Sequence, residues 1–283
     1  MALGHALLIL VPNIDRELFH FVGLADADVV YEWADADGTV QLNAVFQSTV
    51  PPVVGSVADA ALLDLGISSQ YRALLFSKGA TSAVTALQTQ DKLTDLSRDG
   101  GLTAPYVAGP RPSLRGVFVD TVKAYAAAQK LGIAIVGDPA RLRYDEAVEA
   151  TQPILGVSVP VSDTKTVVWA WQPAQERYTR QVGAKPHVDA ITREPLSATN
   201  VVVMWVKKES LAAADPSLVT SETALVGSGQ VSVLRNGVKM DGTWKATPDT
   251  SPRFFAEDGS PIALAPGNTW FEVIPSNASI VLR

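Results

Sequence analysis

The segment Lys185-Pro186-His187-Val188-Asp189 places an imidazole and a carboxylate two residues apart. If the segment is extended, His187 and Asp189 lie on one face, because strand side chains alternate between faces. A carboxylate beside an imidazole raises the pKa of the imidazole and fixes its tautomer, which suits either a general base or a structural hydrogen bond. Lys185 adds a cation to the same segment. The sequence shows no evident serine partner for this histidine and therefore favours the structural role.

Acidic residues crowd residues 26–37, a stretch that includes Glu32. Its segment Asp35-Ala36-Asp37-Gly38 superficially resembles part of a calcium loop, which requires glycine at position six and glutamate at position twelve. Counted from Asp35, glycine falls at position four and position twelve is Phe46. The three histidines, His5, His20 and His187, show no HExxH or HxH spacing. We therefore expect no metal site and no cofactor.

Tryptophan is concentrated in the second half of the chain, where its ring face can stack on a sugar or receive a cation. We predict that any ligand contact combines residues 185–189 with a nearby tryptophan, which we take to be Trp244. In the alternative, Asp189 orders a turn, His187 packs, and the tryptophans fill the sheet faces. The tryptophans of the second half are Trp169, Trp171, Trp205, Trp244 and Trp270.

Strand-like and helix-like segments alternate in the first half. Two apolar runs, residues 29–31 and 40–46, flank an Asp-Gly pair and predict a hairpin. From Val117 to Leu131 apolar residues recur at intervals of three and four, and Gly132 follows, which predicts a helix over residues 117–131. This alternation predicts an α/β arrangement for residues 1–150.

The second half, residues 151–283, is rich in β-branched residues and tryptophan and has little helical periodicity. Asn236-Gly237 and Asp258-Gly259 are strong signals for two-residue hairpin turns, which join antiparallel strands. We therefore predict a mainly antiparallel, β-rich second domain, with a soft boundary at residues 151–153. The expected fold class is α+β overall.

Composition excludes several classes of protein. The chain has 283 residues, 23 Lys plus Arg against 29 Asp plus Glu, and 47% hydrophobic residues, so it can bury a sizeable core and does not promise a basic nucleic-acid-binding face. Cysteine is absent, which excludes disulfides, thiol catalysis and thiolate metal sites. No apolar run approaches the roughly 20 residues that a transmembrane helix needs, and we expect no such helix.

Ordered motifs in both halves resemble those of one known family, the YerB-like bacterial lipoproteins, whose function is unassigned. In the first half the resemblance rests on residues 27–32, 44–48 and 54–55. In the second half it rests on residues 185–189, 196, 200–203, 226–229, 236–237, 242–245, 258–259 and 266–270. The resemblance implies an extracytoplasmic location, with a lipid-attachment cysteine outside this sequence.

The first half departs from the family pattern where that pattern carries Arg, His and Asn. Gln41 stands where the family has Arg, and Ala58 and Ala61 stand where the family has flanking Arg residues. A Pro-His-Asn stretch of the family aligns with Leu114-Arg115-Gly116, in which Arg115 survives as a cation. A cluster of Arg, His and Asn side chains suits a pocket for an anionic or sugar-like ligand. This chain has lost most of the residues of that cluster.

We therefore expect an envelope-located, non-catalytic ligand-binding or scaffold domain whose partner is a cell-wall component or an envelope protein. The candidate ligand-binding residues are Lys185, His187, Asp189, Trp244, Arg115 and Glu32. One alternative is a hydrolase of cell-wall glycan or another polymer that uses paired carboxylates, for which Glu32 needs a partner. The other alternative is an interaction module with an exposed sheet edge.

Overall fold

The central strands are apolar on both sides because both faces of the main sheet are covered. In the strand Leu7–Pro12, Leu7 and Ile9 belong to one buried apolar cluster, whereas Leu8 and Leu10 belong to another. Strands buried on both faces carry continuous apolar runs of this kind. The computed structural model describes residues 5–13, 21–35, 38–90, 94–133, 142–146, 152–207 and 225–283. His20 and residue 151 of the expected domain boundary lie outside these ranges.

The main sheet of the described residues has 11 strands and takes strands from both halves of the chain. Strand β2 (Val29–Ala34) lies beside β19 (Thr269–Pro275) in parallel, with Glu32 opposite Glu272. The sheet therefore runs across the expected boundary between the two domains. In spatial order its strands are β18 (Pro261–Ile262), β17 (Thr250–Phe255), β16 (Val238–Thr247), β15 (Gly227–Arg235), β14 (Asn200–Val206), β19 (Thr269–Pro275), β2 (Val29–Ala34), β3 (Val40–Phe46), β1 (Leu7–Pro12) and β5 (Leu74–Phe76), with β8 (Gln152–Pro153) paired to β16.

Two smaller sheets and three helices complete the described structure. The helices are α1 (Leu62–Tyr71), α2 (Ser82–Gln90) and α3 (Thr121–Lys130), and a 3-10 turn spans Leu24–Asp26. The second sheet consists of β12 (Lys185–Pro186), β11 (Arg177–Val182), β10 (Thr166–Gln172), β9 (Gly156–Pro160) and β20 (Val281–Leu282), with β13 (Ser197–Ala198) paired to β11. The third sheet consists of β4 (Val53–Gly55), β7 (Val117–Asp120) and β6 (Tyr106–Ala108).

The second sheet packs against one face of the main sheet. Trp169 and Tyr178 of the second sheet share an apolar cluster with Val30 and Trp270 of the main sheet. The opposite face of the main sheet contributes Tyr31 to a separate cluster that contains residues of α1. Where the two sheets overlap, side chains that project from the first face are therefore enclosed between them.

The fold is α+β with strand predominant, whereas the α/β arrangement expected for residues 1–150 is not shown. All three described helices lie before residue 131, and most pairings of the strands after residue 152 are antiparallel. Strand β3 pairs antiparallel with both β1 and β2, and within the first half only the β1–β5 pair is parallel among the described strands of the main sheet. A connection as short as the five residues between β2 and β3 joins antiparallel neighbours.

The helix predicted over residues 117–131 is wrong in its first turn, because residues 117–120 form strand β7. Phe118 and Val119 are buried in β7, which pairs with both β4 and β6. Their aromatic and β-branched side chains favour a strand. Asp120 then accepts a hydrogen bond from the backbone N–H of Lys123 and caps α3.

The two hairpin signals of the second half lead to different turns. Asn236 and Gly237 both have positive φ (51° and 72°) and form the two-residue turn expected between β15 and β16. Around Asp258-Gly259, the Ala256 N–H donates to the Ser260 carbonyl oxygen, and Gly259 has a φ of 83°. The connection from β17 to β18 is therefore a three-residue loop that ends in a glycine, rather than a two-residue turn.

Candidate functional site

Two glutamates, Glu32 and Glu272, lie side by side in the middle of the main sheet. Both belong to short apolar strands, β2 and β19, and both are fully buried. The neighbours of Glu272 on the same face of its strand are Trp270 and Ile274, which face the second sheet. Two carboxyl groups are thereby enclosed between the sheets.

Arg180 of the second sheet neutralises this pair from the opposite side. Its Nη2 lies 2.7 Å from Oε1 and 2.6 Å from Oε2 of Glu32, and both side chains are fully buried. The Asn13 side-chain amide also donates to Glu32 Oε1, at 2.7 Å. The guanidinium carbon of Arg180 lies 5.2 Å from the centre of the Trp270 ring, within cation–π range. The Glu32 carboxylate is therefore fully engaged by its neighbours.

His187 contacts the other side of the same guanidinium. Arg180 Nη1 forms a hydrogen bond with His187 Nδ1. Burial is the main cause that lowers the pKa of His187 well below its usual value, and the positive charges of Arg180 and Lys165 lower it further. Since Nδ1 faces a guanidinium donor, the neutral ring carries its proton on Nε2. Lys165 Nζ donates to the Asn13 carbonyl oxygen, so Asn13 contacts both an anion and a cation.

Glu272 differs from Glu32 because it lacks a cationic hydrogen-bond partner among the described residues. Burial is the main cause that raises the pKa of Glu272 well above its usual value, and the negative charge of Glu32 raises it further. The Trp169 indole donates to Glu272 Oε1 at 2.7 Å. A protonated Glu272 facing an ionised Glu32 is the arrangement in which two adjacent carboxyl groups avoid repulsion.

Four side-chain atoms of this cluster have no hydrogen-bond partner among the described residues. They are Asn13 Oδ1, Arg180 Nε, His187 Nε2 and Glu272 Oε2. Both donors and acceptors occur among them, which is the pattern that enclosed water satisfies. The described residues contain no group of three or more His, Cys, Asp or Glu side chains placed to hold a metal ion.

The structure links two of the predicted site residues, Glu32 and His187, through Arg180. Asp189, two residues after His187, is buried and orders a turn, because Oδ2 accepts from the Gly23 N–H and Oδ1 accepts from the Ile191 N–H, at 2.9 and 2.7 Å. Lys185 and Arg115 are exposed. Trp244 is buried in the other apolar cluster, where its indole donates to the carbonyl oxygen of Trp205.

The sequence reasoning missed Arg180, Glu272, Lys165 and Asn13. A signal for Glu272 exists, because it is the one charged residue of the apolar strand β19, as Glu32 is of β2. Arg180 follows Tyr178 by two residues and so projects to the same buried face. Lone charged residues at inward positions of apolar strands predict buried ion pairs, although they do not indicate which residues pair.

A second buried polar cluster lies on the opposite face of the main sheet. Asn43 of β3 accepts from the Trp33 indole at 3.0 Å and donates to Asp64 of α1. The Ala61 N–H donates to the other Asp64 oxygen at 2.7 Å, which caps the helix. Burial raises the pKa of Asp64 to about 7 despite both hydrogen bonds.

Comparisons with known proteins identify a family from the sequence and a similar fold from a solved structure. Residues 2–134 match the N-terminal domain, and residues 157–271 the C-terminal domain, of the family described as protein of unknown function (DUF3048). The structure is similar to the crystal structure of the YerB protein from Bacillus subtilis, with a TM-score of 0.79 and 18% identity over 99% of this chain and 94% of that chain. At that identity the likeness shows the fold. No curated protein matches the chain.

Proposed function

The chain belongs to the DUF3048 family, whose function is unknown, and on that premise we propose that it is an extracytoplasmic, non-catalytic ligand-binding or scaffold protein. The proposal that the protein is non-catalytic rests on one observation, the burial of the charged side chains that could act as general acids or bases. Glu32, Glu272 and Arg180 are all fully buried between two sheets. A general acid or base must come within hydrogen-bond reach of a substrate, and the hydrogen bonds that these groups form with described residues all lie within the enclosed cluster.

In this proposal the buried ion pair stabilises one specific packing of the second sheet on the main sheet. Arg180 projects from the second sheet, and Glu32 projects from the main sheet. A buried charge that loses its partner is strongly destabilising, so the ion pair disfavours packings that separate the two side chains. Ligand or partner contacts then belong to the outer surface.

The extracytoplasmic location is supported by the resemblance to the lipoprotein family, and the absence of cysteine from the sequence is compatible with it. Among the described residues no helix is both long enough and apolar enough to cross a membrane. The test is protease treatment of intact cells that produce the full-length native protein. We expect cleavage from outside, with a cytoplasmic marker protein left intact, and protection until the cells are lysed would contradict the location.

A hydrolase remains the second candidate, because Glu32 has the carboxyl partner that such an enzyme needs. The raised pKa of Glu272 suits the role of general acid in such an enzyme, and Glu32 suits the role of the second, ionised carboxylate. Reducing-end release from cell-wall glycan by the purified protein decides between the two. We expect no turnover above a heat-denatured control. Turnover that disappears in a folded Glu272→Gln variant would establish the hydrolase instead.

An interaction module is favoured by a different observation, the apolar edge of the second sheet. Strand β20 ends that sheet among the described residues, and Val281 and Leu282 of β20 are 63% and 37% exposed. Leu155, 73% exposed, lies beside this edge, since its N–H donates to the carbonyl oxygen of Arg283. Sheet edges of this kind accept an added strand from a partner. Replacing Leu155 and Val281 by Ser should abolish any pull-down of an envelope protein if this edge is the contact.

A further inference from the structure

Strands β15, β16 and β17 present one face to solvent, opposite the face that packs on α1. Val231, Trp244 and Phe254 are buried in the apolar cluster that contains residues of α1, so the residues that alternate with them project from the opposite face. Each of the three strands pairs with a neighbour on both sides, so a ligand on this surface can contact side chains but cannot add a strand. We call this surface the cationic face, and it consists of Ser228, Gln230, Thr243, Lys245, Arg253 and the half-buried Phe255.

Two exposed cations lie side by side on the cationic face. Lys245 is directly opposite Arg253 on one neighbouring strand and directly opposite Ser228 on the other. The Lys245 Nζ is 5.2 Å from the centre of the Phe255 ring, a cation–π contact that positions the ammonium group. Neither cation forms an ion pair with a described residue. Like charges directly opposite each other destabilise a sheet, so this pair lowers stability unless an anion binds to it.

Neutral hydrogen-bonding groups lie beside the two cations. Thr243, two residues before Lys245, is directly opposite Gln230 on one neighbouring strand. Both side chains are exposed, and neither forms a hydrogen bond with a described residue. A hydroxyl and an amide next to a pair of cations match a ligand whose hydroxyl groups adjoin an anionic group.

Two other kinds of anionic partner fit this face less well. A lipid surface takes up apolar side chains in addition to attracting cations, whereas the large exposed apolar side chains of the described residues all lie outside β15, β16 and β17. A single-stranded nucleic acid stacks its bases on open aromatic rings, whereas Phe255 is half-buried and contacts Lys245. The net charge of −6 also disfavours nucleic acid.

We propose that the cationic face binds a linear polymer of sugar or polyol units joined by phosphodiesters, with one phosphate held between Lys245 and Arg253 and the adjoining hydroxyl groups contacted by Thr243 and Gln230. The oxygens of one phosphate accept charge-assisted hydrogen bonds from an ammonium and a guanidinium at once. The bound phosphate also removes the repulsion between the two cations. The inference rests on the proposed function in one respect, because it names the ligand class of an extracytoplasmic binding protein.

The test is an NMR titration of the full chain with poly(glycerol phosphate), a phosphodiester polymer of a simple polyol. We expect saturable shifts that are largest in β15, β16 and β17. Added salt should weaken the binding because it screens exposed charges. Dextran, which has hydroxyl groups but no phosphate, is the control and should not bind. The absence of saturable shifts with the phosphate polymer, or equal binding of dextran, would overturn the proposal.

A double variant tests the two cations. Lys245→Gln, Arg253→Gln should bind poly(glycerol phosphate) at least about tenfold more weakly, because it removes two charged hydrogen-bond donors. The control Arg115→Gln, Lys130→Gln removes the same number of charges at exposed positions outside the cationic face and should bind like the wild type. Unchanged affinity in the first double variant, or an equal loss of affinity in the control, would refute the proposal.

A third variant keeps both cations and alters only their pairing. Ser228→Asp places a carboxylate directly opposite Lys245, where it supplies the missing counter-charge and competes with phosphate. We expect weaker binding of the polymer together with a higher midpoint of unfolding in urea than in the wild type. Binding as tight as that of the wild type would count against the assigned site and overturn the proposal.

Three further probes decide between kinds of partner. Tighter binding of polyglutamate than of poly(glycerol phosphate) would overturn the proposal in favour of an acidic protein. Tighter binding of an oligothymidylate would overturn it in favour of a nucleic acid, and binding only to phosphatidylglycerol vesicles would do so in favour of a membrane surface. The proposed function itself fails on turnover or on a cytoplasmic location, and neither is measured by these titrations.

Discussion

Arg180 is the residue on which the buried cluster depends, because it contacts Glu32, His187 and Trp270 at once. Its charge is compensated by Glu32, and His187 remains neutral beside it. Glu272 adds a carboxyl group whose pKa is raised by burial and by the charge of Glu32. Replacing Arg180 or Glu32 alone by a neutral residue therefore leaves a buried charge without its partner, whereas replacing both does not.

Replacing Arg180 by Met should destabilise the protein by about 3–5 kcal/mol, since it leaves Glu32 ionised and unpaired in the interior. The measurement is the free energy of unfolding in urea at neutral pH. Arg115→Met, at an exposed position, is the control and should change it by less than about 0.5 kcal/mol. The double variant Glu32→Gln, Arg180→Met should lose less unfolding free energy than the single variant Arg180→Met. Equal losses in both would contradict the assigned pairing.

His187 should stay neutral where an ordinary imidazole becomes charged. Its pKa is lowered in the folded state, so below about pH 6.5 the unfolded chain binds a proton that the folded chain does not. The stability that His187 contributes is therefore present above pH 6.5 and lost as the pH falls. The difference in unfolding free energy between the wild type and His187→Gln should shrink from pH 7 to pH 5. A His187 resonance that titrates near pH 6.5 by NMR would refute this.

Asp64 should show the opposite pH dependence. Burial raises its folded-state pKa from 3.8 to about 7, so the folded chain holds a proton that the unfolded chain has lost. The stability from Asp64 is complete below about pH 4 and is lost as the pH rises to about 7. The stability difference between the wild type and Asp64→Asn should therefore shrink from pH 4 to pH 7. An unchanged difference across this range would place the pKa of Asp64 near its ordinary value.

At the scale of elements, local signals succeed where the turn residues alone decide the geometry. Asn236-Gly237 forms the expected two-residue turn because both residues adopt positive φ. Asp258-Gly259 carries a similar signal, but a longer loop forms, with Ala256 and Ser260 as its closing pair. The strand β7 replaces the first turn of the predicted helix because two neighbouring strands pair with it. Pairing partners distant in sequence are invisible to local periodicity.

Gly237→Ala should destabilise the protein more than Gly259→Ala. Both glycines have positive φ, so both variants incur the strain of a left-handed alanine, about 1 kcal/mol. At position 237 the added Cβ would also lie 2.7 Å from the Trp171 indole nitrogen, whereas at 259 nothing lies within 4 Å. Urea unfolding of the two variants, with the second as the control, measures the difference. Equal destabilisation would show that the indole moves aside freely.

At the scale of the whole molecule, the main sheet joins the two halves of the chain. Strand β19 lies between β14 of the second half and β2 of the first half. The apolar cluster between the sheets likewise contains Ile9 and Val30 from the first half and Trp169 and Ile274 from the second. A cut near residue 150 would expose two long sheet edges and open this core.

The chain should therefore unfold as one cooperative unit, and fragments 1–150 and 151–283 should not fold separately. Calorimetry of the intact chain should show a single transition whose calorimetric and van't Hoff enthalpies agree. The fragments should lack near-UV circular dichroism alone and regain it when mixed. Two separate transitions, or a fragment with native-like dispersion in NMR, would establish two independent domains instead.

The sequence by itself determined the class of the molecule and several of its parts. Composition and hydropathy indicated a large apolar core, turn residues located the 236–237 hairpin, and β-branched residues identified a β-rich second half. Motif order identified the family. The sequence also singled out the His187-Val188-Asp189 segment as a candidate contact, and the structure buries both ionisable side chains, while ligand binding by the segment stays a prediction.

Only the tertiary structure decided which charged residues meet. Glu32 and Arg180 are 148 residues apart, and no pattern in either strand specifies the other. Their contact follows from the packing of one sheet on another, which depends on the summed burial of many side chains rather than on a local period. For the same reason Trp244, expected beside His187, lies in the other apolar cluster. Alternation indicates only that a side chain faces inward, and the opposing sheet determines which residue it contacts there.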